Sequence, residues 1–217
     1  GGSGYNMEKL LEDLGRRCYF TETGIEIKKY PCCGSAHLAL NAAAGLVARE
    51  TIEPSEIDRI AVLVDFDPPR SLIHSRPKQG LEGKFSMNYC MAAAFLDQKI
   101  GLGTFTDEQV MRPEAQSLIP KVEMVRIAGY EGRPSWVEAY NVVEVHMRDG
   151  RVLQERRDRP TEGALRGTTL DDIRNKFRDC ASLALTPAAT EEAIGLLDTL
   201  EGVENTGTLA GVLRGDG

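Results

Sequence analysis

The period of the apolar positions changes along the chain, and each change predicts an element. In MEKLLEDLGRRCY, residues 7–19, apolar residues recur at helical spacing and predict a short helix that buries Leu10, Leu11 and Leu14. Thr23-Gly24 ends it, and Ile25 to Tyr30 alternate as a strand that Pro31 stops. Ser35 is the expected N-cap of a helix reaching about Arg49, and its Ala39, Ala42 and Ala43 suit close packing. After a turn at Pro54, Ile57 to Asp65 form a β-branched run ending in the loop Asp67-Pro68-Pro69-Arg70. A cation-rich loop precedes a helix from about Phe85 to Asp97, with Phe85, Tyr89, Ala92 and Leu96 near one face. Thr106, with Gln109 three residues on, has capping-box spacing for a short helix; Pro113 breaks it, and a further turn or two carries Glu114 to Leu118.

Period two then returns. Val122, Met124 and Arg126 read as one strand and Ala139 to Arg148 as a second. Asp149-Gly150 is a hairpin turn, because both residues tolerate positive φ, so Val152 to Arg156 returns antiparallel. Trp136, in the loop 131–136, reads as a packing residue. Thr169 is expected to cap TLDDIRNKFRDCASLAL, with Asp171 and Asp172 in the first turn and Ile173, Phe177, Cys180 and Leu183 or Ala184 buried. Thr186-Pro187 starts a last helix through Leu200, with Ala193, Leu196, Leu197 and Leu200 inward, before Gly202 and a short glycine-rich tail. This order predicts an α+β middle between helices of one layer. The end helices offer few residues for a core of their own, so the chain is expected to need a partner or a missing half.

Composition narrows the function classes. The 217 residues carry 26 Lys+Arg against 33 Asp+Glu, a formal charge of -7, with no long basic stripe, which argues against nucleic acid. No apolar run approaches the roughly 18 residues of a membrane span. Five scattered cysteines make an odd set that does not read as a disulfide framework, so reduced thiols in a cytoplasmic protein are expected. Nucleotide-binding, serine-hydrolase and zinc-protease motifs are absent.

What remains is the stretch Ile25 to Ala48, which brings cations, a turn and a helix N-terminus together, a physically sensible place for a carboxylate. Lys28 and Lys29 alternate, so one faces inward; a lysine there can pair with a substrate carboxylate or stabilise an enolate, whereas the bland reading is a solvated strand end. His37 can bind an anion or move a proton near neutral pH, or can be a half-buried histidine satisfied by a carbonyl. Cys32 and Cys33 have no adjacent base or metal cluster in the sequence; with His37 they make only a weak zinc proposal. His74, Arg76 and Lys84 enrich one loop in cations, and Arg76 is the best clamp because its guanidinium grips a carboxylate bidentately. Tyr89 can donate its hydroxyl to a substrate or sit in the core.

KKYPCCGSAH followed by LEGKFSMNYCMAAAFLDQKIGLGTFTDE, then PEAQSLIPKVEMV, DDIRNKF and TEEAIGLLDTLEGVENTGTL, resembles the MmgE/PrpD family, which includes 2-methylcitrate dehydratase, cis-aconitate decarboxylase and iminodisuccinate epimerase. The resemblance covers almost the whole chain. It implies the second half of a longer protein: residues 1–24 ending a helical portion, an α+β lid domain at 25–165, and helices at 166–217 returning to the otherwise missing all-helical domain. It also implies an active site between the two domains, with its aspartate and most histidines supplied by the absent half. Matching motifs place the lid lysine at Lys28, the helix-start histidine at His37 and the tyrosine of the FSxxY block at Tyr89, with Arg76 and Lys84 at cleft positions. Cys33 stands where the cis-aconitate decarboxylases it resembles have a histidine, which argues against decarboxylation. The expected activity is a dehydratase-like lyase without metal or organic cofactor, acting on a small di- or tricarboxylate such as 2-methylcitrate. Epimerisation or isomerisation, and a non-catalytic lid-domain subunit, are the alternatives. The expected partners are a helical N-terminal half or companion subunit and, as is common in the family, further copies in an oligomer.

Overall fold

The computed structural model describes residue 4, residues 6–16, residue 18 and residues 27–129, 140–159 and 168–214. Its centre is a four-stranded sheet in the order β2-β1-β3-β4. The strands are β1 (Ile57–Val64), β2 (Val122–Arg126), β3 (Tyr140–Met147) and β4 (Val152–Asp158). The expected antiparallel sheet is present in β1–β3–β4, with Val62 opposite Val143 and Val143 opposite Glu155. β2 differs: it lies parallel to β1, with Ile60 opposite Val122. Parallel neighbours need a long crossover, and the helical stretch between Asp65 and Lys121 supplies it. The Asp149-Gly150 turn closes as expected, with Gly150 at φ +89° and its N–H on the Met147 carbonyl at 3.0 Å.

Nine α-helices surround the sheet among the described residues: α1 (Met7–Glu12), α2 (His37–Arg49), α3 (Gly80–Gly83), α4 (Met87–Asp97), α5 (Asp107–Met111), α6 (Pro113–Leu118), α7 (Leu170–Ala181), α8 (Pro187–Asp198) and α9 (Thr206–Leu213). None is long and apolar enough to cross a membrane. α2 lies against β3, β4 and α4, burying Ala39, Leu40, Ala42, Ala43 and Leu46. Its approach to β4 is close: a Cβ on Gly45 would meet the Arg157 guanidinium at 2.5 Å. α4 is the central helix. Met87 and every residue from Tyr89 to Phe95 are buried, so MNYCMAAAFLD has no polar face to show. It starts two residues later than expected, because the Ser86 hydroxyl accepts from the Tyr89 N–H at 3.0 Å and leaves Phe85 outside, 39 % exposed.

Three expectations at the ends fail. Leu11 and Leu14, placed inward on α1, are 56 % and 75 % exposed. Cys180 is exposed and Leu183 is 77 % exposed, although Ile173 and Phe177 are half-buried. The glycine-rich tail carries α9, which forms after Asn205, whose side chain accepts from the Gly207 N–H at 2.8 Å. α8 buries Ala193 and Ile194 but leaves Leu197 40 % exposed, and Leu200, just beyond it, is 46 % exposed. Thr169 and Asp172 cap α7 reciprocally, and Arg174–Asp198 and Arg178–Glu191 ion pairs hold α7 to α8. The expected strand 25–30 is also corrected within the described residues, because 27–28 are irregular and 29–32 bend. With Pro31 breaking the run and no strand beside it among the described residues, extended backbone there has no described ladder to join. Ile25 and the loop holding Trp136 lie outside the described residues.

Candidate functional site

Pro31 and the residues after it decide the local shape. The chain bends through Lys29–Cys32, and the Cys33 N–H bonds to the Lys84 carbonyl at 2.9 Å, tying the turn to the end of α3. A single 3-10 turn, Gly34–Ala36, then leads into α2. Ser35 is therefore not the N-cap: Ala36 holds that position without a side-chain cap. The Ser35 hydroxyl instead lies 3.3 Å from that of Ser71, and the Cys33 thiol lies 3.2 Å from the same hydroxyl.

Lys28 stands at the open side of this turn. Its side chain is exposed, and its ammonium donates to the Cys32 carbonyl at 3.3 Å. Lys29 turns the other way and pairs with Asp172 on α7 at 2.8 Å. Tyr30 is buried; its hydroxyl donates to Asn41 Oδ1 at 2.9 Å, and its ring meets the His37 ring edge-on at 5.3 Å. Burial pushes the Tyr30 hydroxyl well above its ordinary value, so it stays protonated. His37 opens α2 and is half-buried. Its Nε2 is buried with no hydrogen-bond partner among the described residues.

The thiol of Cys32 faces Cys90 of α4, His37 and Lys28. The Cys90 thiol itself donates to the Gly83 carbonyl at 3.8 Å and the Cys32 thiol to the Cys33 carbonyl at 3.8 Å. The nearness of Cys90 and, against the opposing effect of burial, that of His37 and Lys28 favours the Cys32 thiolate. Cys32 is therefore held below the ordinary thiol range, while Cys90, fully buried beside it, is held above. Charge arriving at this pair is carried by Cys32. No three His, Cys, Asp or Glu side chains among the described residues converge as a metal site.

The structure thus brings together Lys28, His37, Cys33 and, through its backbone carbonyl, Lys84. Arg76 sits in the exposed loop before α3, and among the described residues no hydrogen bond or ion pair joins it to the turn. Tyr89 departs further from the expectation. It is fully buried, its hydroxyl donates to the Thr104 carbonyl, and its ring packs edge-on to Phe105 at 5.9 Å, so it holds the core. Burial raises its hydroxyl to about 12. Sequence reasoning missed Cys90, Ser71 and Asn41. Asn41 was within reach of the helical period, four residues after His37, whereas Ser71 and Cys90 approach only through the fold.

Chemically, the turn offers an exposed ammonium and an imidazole at a helix start around one bend, which suits a small anion. Comparisons with known proteins agree on the ancestry of this arrangement. Residues 30–201 match the MmgE/PrpD C-terminal domain. The chain is 27 % identical to cis-aconitate decarboxylase of Mus musculus over 196 residues, covering 88 % of this chain and 40 % of that protein. It is 28 % identical to the Homo sapiens enzyme of that name over 198 residues, with the same coverage. Against cis-aconitate decarboxylase of Aspergillus terreus the identity is 24 % over 220 residues, covering 97 % of this chain and 44 % of that protein. The chain therefore spans about two-fifths of the length of these relatives. With one family domain matched across most of its residues and the motif turn at the domain's beginning, this chain belongs to the MmgE/PrpD family.

Proposed function

We propose that the chain is the carboxylate-holding part of a lyase that acts, without a cofactor, on a small di- or tricarboxylate, and that a helical segment or companion subunit supplies the principal base. The observation that carries the reading is the exposed Lys28 ammonium at the mouth of the Tyr30–His37 turn, one bend from the imidazole and the Cys32 thiol. A fixed cation facing charge that develops on a carboxylate or enolate is what such a step requires. In this reading Lys28 neutralises one carboxylate, and His37 orients or donates to the substrate. Arg76 adds a second cation from the exposed loop before α3, Lys84 and Cys33 line the entrance, and Tyr89 supports the helix behind it.

The need for a further helical layer is supported by the exposed Leu170, Leu183, Leu197 and Leu213 and by the chain's share of its relatives' length. The division into 1–24, 25–165 and 166–217 belongs to the same proposal, as does assembly of several copies in the cytoplasm. Dehydration of a 2-methylcitrate-like substrate is the leading chemistry, because Cys33 replaces a histidine of the decarboxylases in the resemblance. Decarboxylation is the second reading, favoured by the names of the three relatives.

Titration calorimetry of the chain with cis-aconitate, 2-methylcitrate and iminodisuccinate tests the proposal. Lys28→Met removes a charge-assisted contact of roughly 1.5–3 kcal/mol and is expected to weaken binding by about 10- to 100-fold. Equal binding by the variant, or no binding of any of the three acids by the chain, overturns the reading. Preference for iminodisuccinate moves the assignment to epimerisation.

A further inference from the structure

We propose that Asp172 and Lys176 of α7 are positioning residues for Lys28: Lys176 holds the Lys28 carbonyl and Asp172 the neighbouring Lys29 ammonium, which clamps the Lys28–Tyr30 turn against a helix remote in sequence. The inference rests on the reading of Lys28 as a carboxylate-holding group.

A cleft of about 140 Å³ runs between Lys29–Pro31, Ile100–Leu102 and α7. Its charged groups are engaged in bridging its walls. Asp172 Oδ1 pairs with the Lys29 ammonium at 2.8 Å, and the Lys176 ammonium donates to the Lys28 carbonyl at 2.7 Å. Asp179 Oδ2 accepts from the Leu102 N–H at 3.0 Å, and its other oxygen lies 3.9 Å from the Lys99 ammonium. Positions 172, 176 and 179 fall at i, i+4 and i+7, one stripe of a helix. α7 therefore meets the turn with a polar stripe while Ile173 and Phe177 lie elsewhere on its circumference, and the cleft is a seam held by cross-links.

Asp172 is fixed before it reaches Lys29. Its Oδ2 accepts from the Thr169 N–H and hydroxyl, both at 3.0 Å, as the cap of α7. Burial pushes its carboxyl up, but the Lys29 ammonium and the Thr169 donors outweigh this and hold it below the ordinary carboxylate value. Lys28 is consequently held at two points: its carbonyl by Lys176, and its ammonium against the Cys32 carbonyl at 3.3 Å. The next two residues continue the restraint, with the Lys29 ammonium 5.7 Å from the centre of the Tyr30 ring and that ring edge-on to His37. Removing Lys176 frees the carbonyl end of Lys28 without touching any group assigned to substrate.

The test uses the full chain and four variants: Lys176→Met, Lys176→Arg, Asp172→Asn and Lys28→Met. The Lys28 carbonyl carbon resonance reports the Lys176 bond directly, exchange of the Cys33 amide reports opening of the turn, and calorimetry with cis-aconitate reports binding. Lys176→Met should shift the carbonyl resonance, speed Cys33 exchange by roughly tenfold and weaken cis-aconitate by a similar factor, as expected for loss of one charge-assisted bond. Lys176→Arg, which keeps a cationic donor at the same position, should restore most of each effect. Asp172→Asn retains an acceptor for Thr169, removes the charge opposite Lys29, and should act in the same direction if Lys176→Met fails to fold. An unchanged Lys28 carbonyl resonance and unchanged Cys33 exchange in Lys176→Met overturn the clamp, whatever happens to binding. Lys28→Met keeps the two reports apart: wild-type binding in that variant sinks the carboxylate reading and the positioning role that depends on it, while the exchange data still decide whether the clamp exists.

Discussion

Replacing Tyr89 with Phe separates a core tyrosine from a substrate-facing one. The side chain has no exposed surface, and its hydroxyl donates to the carbonyl of Thr104, itself only 9 % exposed. Phenylalanine keeps the ring and its edge-on contact with Phe105 at 5.9 Å, so little dispersion energy is lost. What is lost is the donor to a buried carbonyl, a change that costs about 1–2 kcal/mol because the acceptor is left dry and unsatisfied. For a chain of this length each kcal/mol shifts the thermal midpoint by about 2–4 °C, so Tyr89→Phe should melt roughly 2–8 °C lower. Urea unfolding followed by circular dichroism gives the free energy, and calorimetry with cis-aconitate on the same preparation gives the binding constant. The expected pair of results is lowered stability with unchanged binding. Unchanged stability with lost binding would place the hydroxyl on a ligand and refute the reasoning from burial.

Gly80→Ala should be more damaging than Tyr89→Phe, because the new Cβ would stand 2.1 Å from the Phe105 carbonyl oxygen, which belongs to backbone and has little room to move. A loss of about 3 kcal/mol or more in urea unfolding is expected, and a change below about 0.5 kcal/mol would refute the close approach. Cys32 should titrate below the ordinary thiol value near 8.5, seen as thiolate absorbance at 240 nm in the wild type minus Cys32→Ser difference. Its folded value is depressed, so the stabilisation it adds is complete above the unfolded thiol value and is lost as pH falls through the folded one. Cys90→Ala should move that titration upward; no movement would refute the influence of Cys90 on the Cys32 thiolate.

Local order was readable wherever neighbouring residues decide it. Thr106, Thr169 and Thr186 cap the helices they were expected to cap, because a side-chain oxygen and an N–H three residues on meet within one turn. Asp149-Gly150 closes its hairpin for an equally local reason, the positive φ at Gly150. The return of Val152 to Asp158 against Tyr140 to Met147 follows from that turn and the strand runs on either side of it. The sequence also singled out the turn that begins the matched family domain, through the lysine–aromatic–proline–cysteine order and the histidine that follows.

Long-range proximity decided the rest. Whether Tyr89 faces a ligand or the core depends on Thr104 and Phe105 closing over it, and helical spacing is the same in both cases. The parallel seat of β2 depends on where a crossover of more than fifty residues, Asp65 to Lys121, sets it down. Cys32 gains its charge preference from Cys90, a neighbour in space and not in the chain. In α7 a polar stripe of Asp172, Lys176 and Asp179 faces the turn, although the apolar period pointed to Ile173 and Phe177 as the inward side. A hydrophobic pattern states which residues avoid water; it is silent on which charged residues will find partners until tertiary packing brings the two walls within hydrogen-bonding distance.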